Sequence, residues 1–339
     1  MSEQQLHGLV ELTNEQYHSG PGISKSHLDD IALETGGSPL NYWDKRINPD
    51  REPEEFKHCF AVGDGTHKLV LEPGTFEQTY AVGFDKSAYP DALNTVDDMK
   101  QELAKRMAMT SGSKPELARR LVEEEGYPRD QILMYLEQDY NATLGEKIII
   151  PAKDYKDMLS MLRAVDRHPF AAGLLSGAEV EQSFFIETDQ NIIDHDTGVV
   201  TPIRVLRKCR TDAITASGGW IVDLKTTDNV SEDGFGATIA RRRYDIQAAW
   251  YLDILRDLYG SAAPRGFAFI AAQKTRPYDV AVHYMEADHP ALARGRRLYQ
   301  RDLLRIVRCR EEGYWPGADG GDLLQVKLPY WATRDFEYA

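Results

Sequence analysis

Only three cysteines occur among 339 residues, Cys59, Cys209 and Cys309, far apart and without a CxxC pair. That scarcity excludes a disulfide framework, a cysteine-built zinc site and a four-cysteine iron–sulfur cluster. It points to a reducing compartment, the cytoplasm. No apolar run approaches the roughly 20 residues of a membrane span. The opening stretch MSEQQLHGLVELTNEQ lacks the basic start and apolar centre of a secretory signal. A nucleotide-binding P-loop is missing too, so no ATP requirement and no helicase activity are expected. Positive charge is also in deficit. Lys and Arg number 40 against 54 Asp and Glu, a formal net charge of −14. This counts against a general nucleic-acid coat protein, but not against an enzyme that touches nucleic acid along a local basic track. Two such tracks exist, Arg241-Arg242-Arg243 and the stretch from Arg294 to Arg310, where seven arginines accompany one acid, Asp302. The plain alternative for each is a solvated helix face.

The most informative stretch runs from Val205 to Thr227, VLRKCRTDAITASGGWIVDLKTT. An apolar run, a Thr-Ala-Ser-Gly-Gly turn signal and a second run, WIVDLK, read as a β-hairpin. A two- or four-residue loop centred near Ser217 and Gly218 sets Asp212 opposite Asp223, on one face of the pair. Lys225, two residues further on, returns to that face, while Trp220, Val222 and Leu224 point to the other. Two carboxylates held face to face repel, so one takes up a proton or both share a cation. Hard oxygen donors suit Mg²⁺ or Mn²⁺ rather than zinc. A lysine beside them positions a water or stabilises charge developing on a phosphate. The competing reading is a surface hairpin with a solvated Asp–Lys pair.

Before this stretch, residues 1–21 read as a loosely ordered lead-in. Helices are expected from Ser24, from Asn41 and across Phe56 to Leu71, the last with Phe56, Phe60 and Val70 as buried candidates. In that helix Gly63 and His67 share a face. A glycine there costs up to about 1 kcal/mol relative to alanine, which hints at a close approach by a backbone or a ligand. Residues 78–84 and 147–150 suggest short strands. Asp154 to Val165 is a clear amphipathic helix, and Val180 to Ile186 a strand bringing Glu181 toward the carboxylates. Asp194-His195-Asp196 is read as a turn. After the hairpin follow a helix from Tyr244 to Leu258 with Gln247 and Tyr251 on one face, strands at 266–271 and 280–284, a long helix from His289 to Glu312 and an extended tail.

Residues 95–125 are charged and strongly helical, broken at Thr110-Ser111-Gly112-Ser113. Thr95 with Asp98 forms a capping-box pattern, and Pro115 stands in the first turn of the second helix. Through TVDDM and SGSKPEL with Arg120-Leu121 this piece resembles a SAP motif, a DNA-binding helix–loop–helix module. The resemblance implies Lys114, Arg119 and Arg120 as phosphate contacts. It departs at Met107, where that family commonly carries glycine. The alternative is a plain helical-hairpin insertion. The layout is then 1–92 as an N-terminal helical part, 93–127 as the insert and 128–339 as the core with the hairpin and the last helix.

Gly63-x-x-x-His67, Glu181, Arg210-Thr211-Asp212, Asp223-Leu224-Lys225-Thr226-Thr227 and Gln247-x-x-x-Tyr251, in that order, resemble the RecE and RecB-type branch of the PD-(D/E)xK nucleases, most closely the exodeoxyribonuclease VIII type. Thr211 stands where relatives often have proline. The resemblance implies an α/β fold: a PD-(D/E)xK core with a central mixed sheet flanked by helices. It implies Asp212, Asp223, His67 and the Leu224 carbonyl as ligands of Mg²⁺, with Mn²⁺ a possible substitute. Lys225 would orient the water, Glu181 would assist at the metal, and Gln247 and Tyr251 would line the DNA side. Arg241, Arg242 and Arg243 are expected to meet DNA. The implied activity is a metal-dependent exonuclease acting 5′ to 3′ on linear duplex DNA to expose 3′ single strands for recombination. A ring-shaped homo-oligomer such as a tetramer and a single-strand annealing protein as partner go with it. A structure-dependent endonuclease, a single-strand exonuclease and a non-catalytic DNA-binding accessory protein are the alternatives.

Overall fold

A computed structural model describes residues 6–52, 58–195, 197–320, 322–326 and 328. Its N-terminal elements are β1 (Gly8–Val10), α1 (Asn14–Ser19), α2 (Lys25–Ile31), α3 (Pro39–Arg46), α4 (His58–Leu71), α5 (Phe76–Thr79) and β2 (Tyr80–Val82). A helical stretch follows with α6 (Val96–Lys105), α7 (Lys114–Glu123) and α8 (Leu133–Asn141), then β3 (Ile148–Ile150), α9 (Ala152–Arg167) and α10 (Pro169–Leu175). The remainder is β4 (Glu179–Ile193), β5 (Val200–Ile214), β6 (Trp220–Thr227), α11 (Glu232–Arg242), α12 (Tyr244–Tyr259), β7 (Gly266–Gln273), β8 (Val280–Glu286) and α13 (Pro290–Glu312).

Six strands form one sheet in the order β1-β4-β5-β6-β7-β8, while β2 and β3 pair separately. Only β6 and β7 of the large sheet run parallel, joined by the crossover through α11 and α12. β7, GFAFIAAQ, is buried along all but its last residue, which explains its continuous apolar sequence. One sheet face packs Ile221, Phe267 and Phe269 against Trp250 and Leu252 of α12 and Leu303 of α13. The other packs Val222, Leu224 and Ile270 against Met158 and Met161 of α9, with α4 beside them. The architecture is therefore the α/β class read from the sequence, a mixed sheet between two helical layers with the hairpin at its centre. Where α13 crosses α12, a Cβ on Gly295 would come within 2.3 Å of the Asp245 carbonyl oxygen, so only glycine fits the crossing.

Several expectations change. The lead-in is ordered over its described residues. β1 pairs antiparallel with β4, and α1 is closed by a capping box between Thr13 and Gln16. Leu6, Tyr17 and Phe185 make the small core that holds this segment down. A Cβ at Gly63 would meet nothing within 4 Å, so no protein backbone presses there. The close approach is at Gly65, where a Cβ would lie 2.6 Å from the Met158 Cε. β4 and β5 run 15 residues each, well beyond the apolar part of their sequences. Their polar outer halves pair with each other over a register continuing to Ile193 opposite Val200. The predicted helix start at Phe56, the side chain of Phe60, Asp196 and the tail from Pro329 lie outside the described residues.

The inserted helices make a core of their own from Met99, Leu103, Leu117, Ala118, Leu121 and Ile132. The chain enters and leaves side by side, with the Leu93 N–H donating to Gln131 O and the Leu133 N–H to Leu93 O. This unit thus closes at Ile132, a few residues past the 127 suggested by sequence. Met107 takes φ +59°, the left-handed conformation normally reserved for glycine.

Candidate active site

Ala213 lies opposite Val222 and Ile214 opposite Ile221, and the Thr215 N–H to Trp220 O bond closes a four-residue loop. The register is the one the spacing predicts. One step further from the turn the regular ladder gives way, and Oδ2 of Asp212 accepts the Leu224 N–H at 2.8 Å. A side-chain carboxylate thus takes the place of a strand partner, which fixes Asp212 against β6. Asp223 is 1% exposed. A carboxylate so deeply buried must be paired. Lys225 Nζ stands 2.5 Å from Oδ1 and 2.8 Å from Oδ2. Gln247 Nε2 donates to the same oxygens at 3.3 and 3.0 Å. The Lys225 ammonium also lies 4.8 Å from the centroid of the Tyr244 ring.

These placements set the electrostatics. Burial, and then the neighbouring Asp223 charge, push the Asp212 carboxyl up to about 8. Burial alone would lower Lys225, but Asp223 and Asp212 outweigh it and hold the ammonium above its usual value. On α4, His67 Nδ1 lies 3.3 Å from Asp212 Oδ2. Burial, with Lys225 nearby, pushes its pKa down, leaving the neutral imidazole that a metal ligand must be. Glu181 takes φ +53° at the point where the β4–β5 pairing skips from Val180–Ala213 to Gln182–Thr211. Its carboxylate accepts from Arg210 Nε at 2.7 Å, and burial followed by the Asp212 charge raises its pKa. A cavity of about 230 Å³ is lined by His67, Glu181, Asp212, Tyr251, Arg210 and His18.

Among the described residues no three His, Cys, Asp or Glu side chains are drawn together as a ready metal cage. The donor set nevertheless suits a divalent cation. The carboxyls of buried Asp223 and half-buried Asp212 lie side by side, and the repulsion that pushes Asp212 toward its protonated form is what a shared cation relieves. A neutral imidazole stands in contact with one of them. Asp212, Asp223 and His67, with the Leu224 carbonyl between the hairpin's Asp and Lys, are the groups that would hold it.

Other expected residues fall differently. Gln247 is buried beneath Asp223 rather than facing the cavity, whereas Tyr251 lines it. Arg241 and Arg242 end α11 beside a groove of about 280 Å³ shared with Lys45. Arg243 borders the same groove but only from beneath. It is 2% exposed, donates to Leu28 O and is ion-paired with the buried Asp302, so it cannot reach DNA. In the insert, Lys114 donates to Asn94 and Arg119 pairs with Glu123 on the surface. Arg120 is committed to the carbonyls of Met109 and Ser111 at 2.8 and 2.9 Å, which makes it a staple of the interhelix loop instead of a phosphate contact. Sequence reasoning missed Arg210 as the holder of Glu181 and Tyr244 as the aromatic wall of Lys225. Tyr244 sits three residues before Gln247 on the same helix face, a spacing that could have exposed it.

The mixed sheet, the Asp–Asp–Lys hairpin and the flanking helices define a PD-(D/E)xK-like protein. More particularly, the chain belongs to the family described as PDDEXK-like domain of unknown function (DUF3799), whose model matches residues 42–323. No curated protein matches the sequence. Among solved structures, a provisionally assigned exonuclease from Eubacterium rectale superposes with a TM-score of 0.52 at 14% identity, covering 95% of this chain and 98% of its own. The protein SSO0001 covers 61% of this chain and 84% of its own at 17% identity, with a TM-score of 0.24. The first supports the fold; the second overlaps too loosely to carry an argument.

Proposed function

We propose that this chain is a divalent-metal-dependent exodeoxyribonuclease, using Mg²⁺, that degrades linear duplex DNA from 5′ to 3′. Its 3′-ended single strands would feed recombination by single-strand annealing. The observation that carries the nuclease chemistry is the hairpin that sets Asp212 against β6 beside Asp223 and Lys225. Direction, the ring-shaped oligomer and the annealing partner rest on the family resemblance. The full Asp–Asp–Lys set argues against a non-catalytic accessory protein.

A bound divalent cation supplies charge neutralisation at the phosphate and a more acidic water. The protein's own residues supply the rest. Gln247 donates to both Asp223 oxygens and holds the carboxylate in its orientation. Lys225, a full cation at neutral pH, orients the attacking water and offsets charge on the phosphate as it becomes five-coordinate. Arg210 holds Glu181 at the cavity wall, where it would assist at the metal. Tyr251 closes the other wall and limits access to the scissile bond. The test is digestion of linear duplex labelled at either the 5′ or the 3′ end, in Mg²⁺ and in EDTA. Metal-dependent early release of 5′ label is expected. Preference for nicked circles, or for single strands over duplex, would replace the reading with one of its alternatives, and a folded protein that binds DNA without cutting it would end it.

A further inference from the structure

The larger arginine track of the sequence is not used by the site above. On α13, Arg294, Arg297, Arg301, Arg305 and Arg308 recur at intervals of three and four residues and all line one cavity of about 640 Å³. Leu33 and Pro39 on one side and Pro316 to Gly320 on the other enclose it, away from the carboxylate centre. Helical spacing sets successive guanidiniums roughly 5–6 Å apart along about 20 Å of helix. That is a repeat comparable to the phosphates of an extended strand.

The countercharges are arranged unequally. Asp302, which pairs with Arg301, and Asp245, which pairs with Arg294, are buried under the helix. Arg294 and Arg308 keep side-chain exposures of 50% and 49%. Asp194 and Glu312 line the cavity with the five arginines, Asp194 pairing with Arg308, and Glu34 pairs with Arg301 outside that lining. Five arginines therefore face two acids in the cavity lining, while Asp302 and Asp245 compensate from the buried side. Arginine's planar fork is the side chain best suited to phosphate oxygens. The apolar walls offer surfaces for sugars and bases. The volume is in the range that encloses a small ligand, too confined for a duplex.

We propose that this groove binds the phosphodiester backbone of single-stranded nucleic acid, a few nucleotides at a time. The proposal rests on reading the chain as an enzyme of DNA, since it names where a strand freed by that chemistry is held. Binding is measured by fluorescence anisotropy of a labelled 12-nucleotide single strand, in EDTA so that nothing is cut. The Arg297→Ala/Arg308→Ala double variant is expected to bind at least about tenfold more weakly. Its slope of log affinity against log salt should fall by about 1.4, two phosphates at roughly 0.7 each. The Arg297→Lys/Arg308→Lys variant should restore the slope, which separates lost charge from a damaged fold. Asp223→Asn should bind the strand as the unaltered protein does. Unchanged affinity and slope in the alanine variant, or no strand binding by the unaltered protein, overturns the proposal. So does loss of binding in Asp223→Asn alone, which would put the strand on the carboxylate centre. Duplex digestion in Mg²⁺ is scored separately: groove binding without digestion defeats the nuclease reading and leaves the groove.

Discussion

The hairpin region and the inserted helical unit bury their side chains on opposite terms. Around the hairpin the interior contains Asp223, Gln247, Lys208, Arg207, Arg243, Asp245 and Asp302. The insert, built from α6, α7 and the start of α8, buries only apolar groups among its described residues, and its many charges stay at the surface in pairs such as Arg119–Glu123. An apolar core stabilises without further conditions. A buried charge stabilises little and must be matched partner by partner, so its presence marks a demand other than stability. The two regions therefore respond differently to substitution.

The largest effect is expected at the hairpin, on activity. Asp223→Ala removes a proposed metal ligand and the anchor of Lys225 together, and should lower DNA hydrolysis by at least about 10³-fold, some 4 kcal/mol of transition-state stabilisation. Lys225 keeps Asp212 as a neighbouring carboxyl, and removing the Asp223 charge lets Asp212 ionise more readily, so the fold should survive. Far-ultraviolet circular dichroism should show an intact spectrum beside the lost activity. An unfolded variant would mean that the ionic cluster is structural, and the contrast between the regions would fail.

In the insert the order of effects reverses. Leu117 is fully buried in its core, and Leu117→Ala should cost about 2–5 kcal/mol through lost transfer energy and a cavity. Denaturation followed by a probe in the insert should shift, while hydrolysis of short substrates below that transition stays near its original rate. A parallel loss of activity would tie the insert to the chemistry.

Lys208 sharpens the comparison because it is a buried cation with no carboxylate partner among the described residues. Its ammonium donates to the carbonyls of Tyr17 and Gly20, at and just beyond the C-terminal end of α1, and lies over the Tyr17 ring. Burial, with Arg46 the nearby charge, lowers its pKa to about 8. The folded state thus releases this proton before the unfolded chain does. Stability linked to Lys208 therefore rises with pH between about 8 and 10.5. Lys208→Met should remove that rise, on the order of 3 kcal/mol, in urea titrations at several pH values. An unchanged slope would show that the ammonium is not the titrating group.

Much of the hairpin was legible because a strand register is an arithmetic property of spacing. Once the turn is placed, Asp212 and Asp223 must be neighbours, and Lys225 must share the face. His67 was not legible from its helix alone, since nothing local says which way a lone helical histidine faces. Arg243 looked identical to Arg241 and Arg242. Its left-handed φ of +57° at the break between α11 and α12 turns it inward, and only the tertiary ion pairs sustain that turn. Gln247 was placed on the correct helix face but assigned to DNA, because sequence gives a face and not the depth of the partner beneath it. The ordered N-terminus had a signal that was passed over, the Thr13-x-x-Gln16 capping box.

The smallest expected effect tests the insert's one backbone conflict. Met107 holds φ +59° with its side chain 96% exposed, so no packing repays the conformation. A left-handed non-glycine residue costs about 1–2 kcal/mol. Glycine removes that strain but returns part of the gain by loosening the unfolded chain. Met107→Gly should therefore stabilise the unit by about 0.5–1 kcal/mol, read as a higher urea midpoint with an unchanged m-value. Because the change lies in a self-contained apolar unit, DNA hydrolysis should be unaffected. If the variant is destabilised, the exposed methionine makes a contact in solution that offsets its strain, and the insert is less self-contained than its core implies.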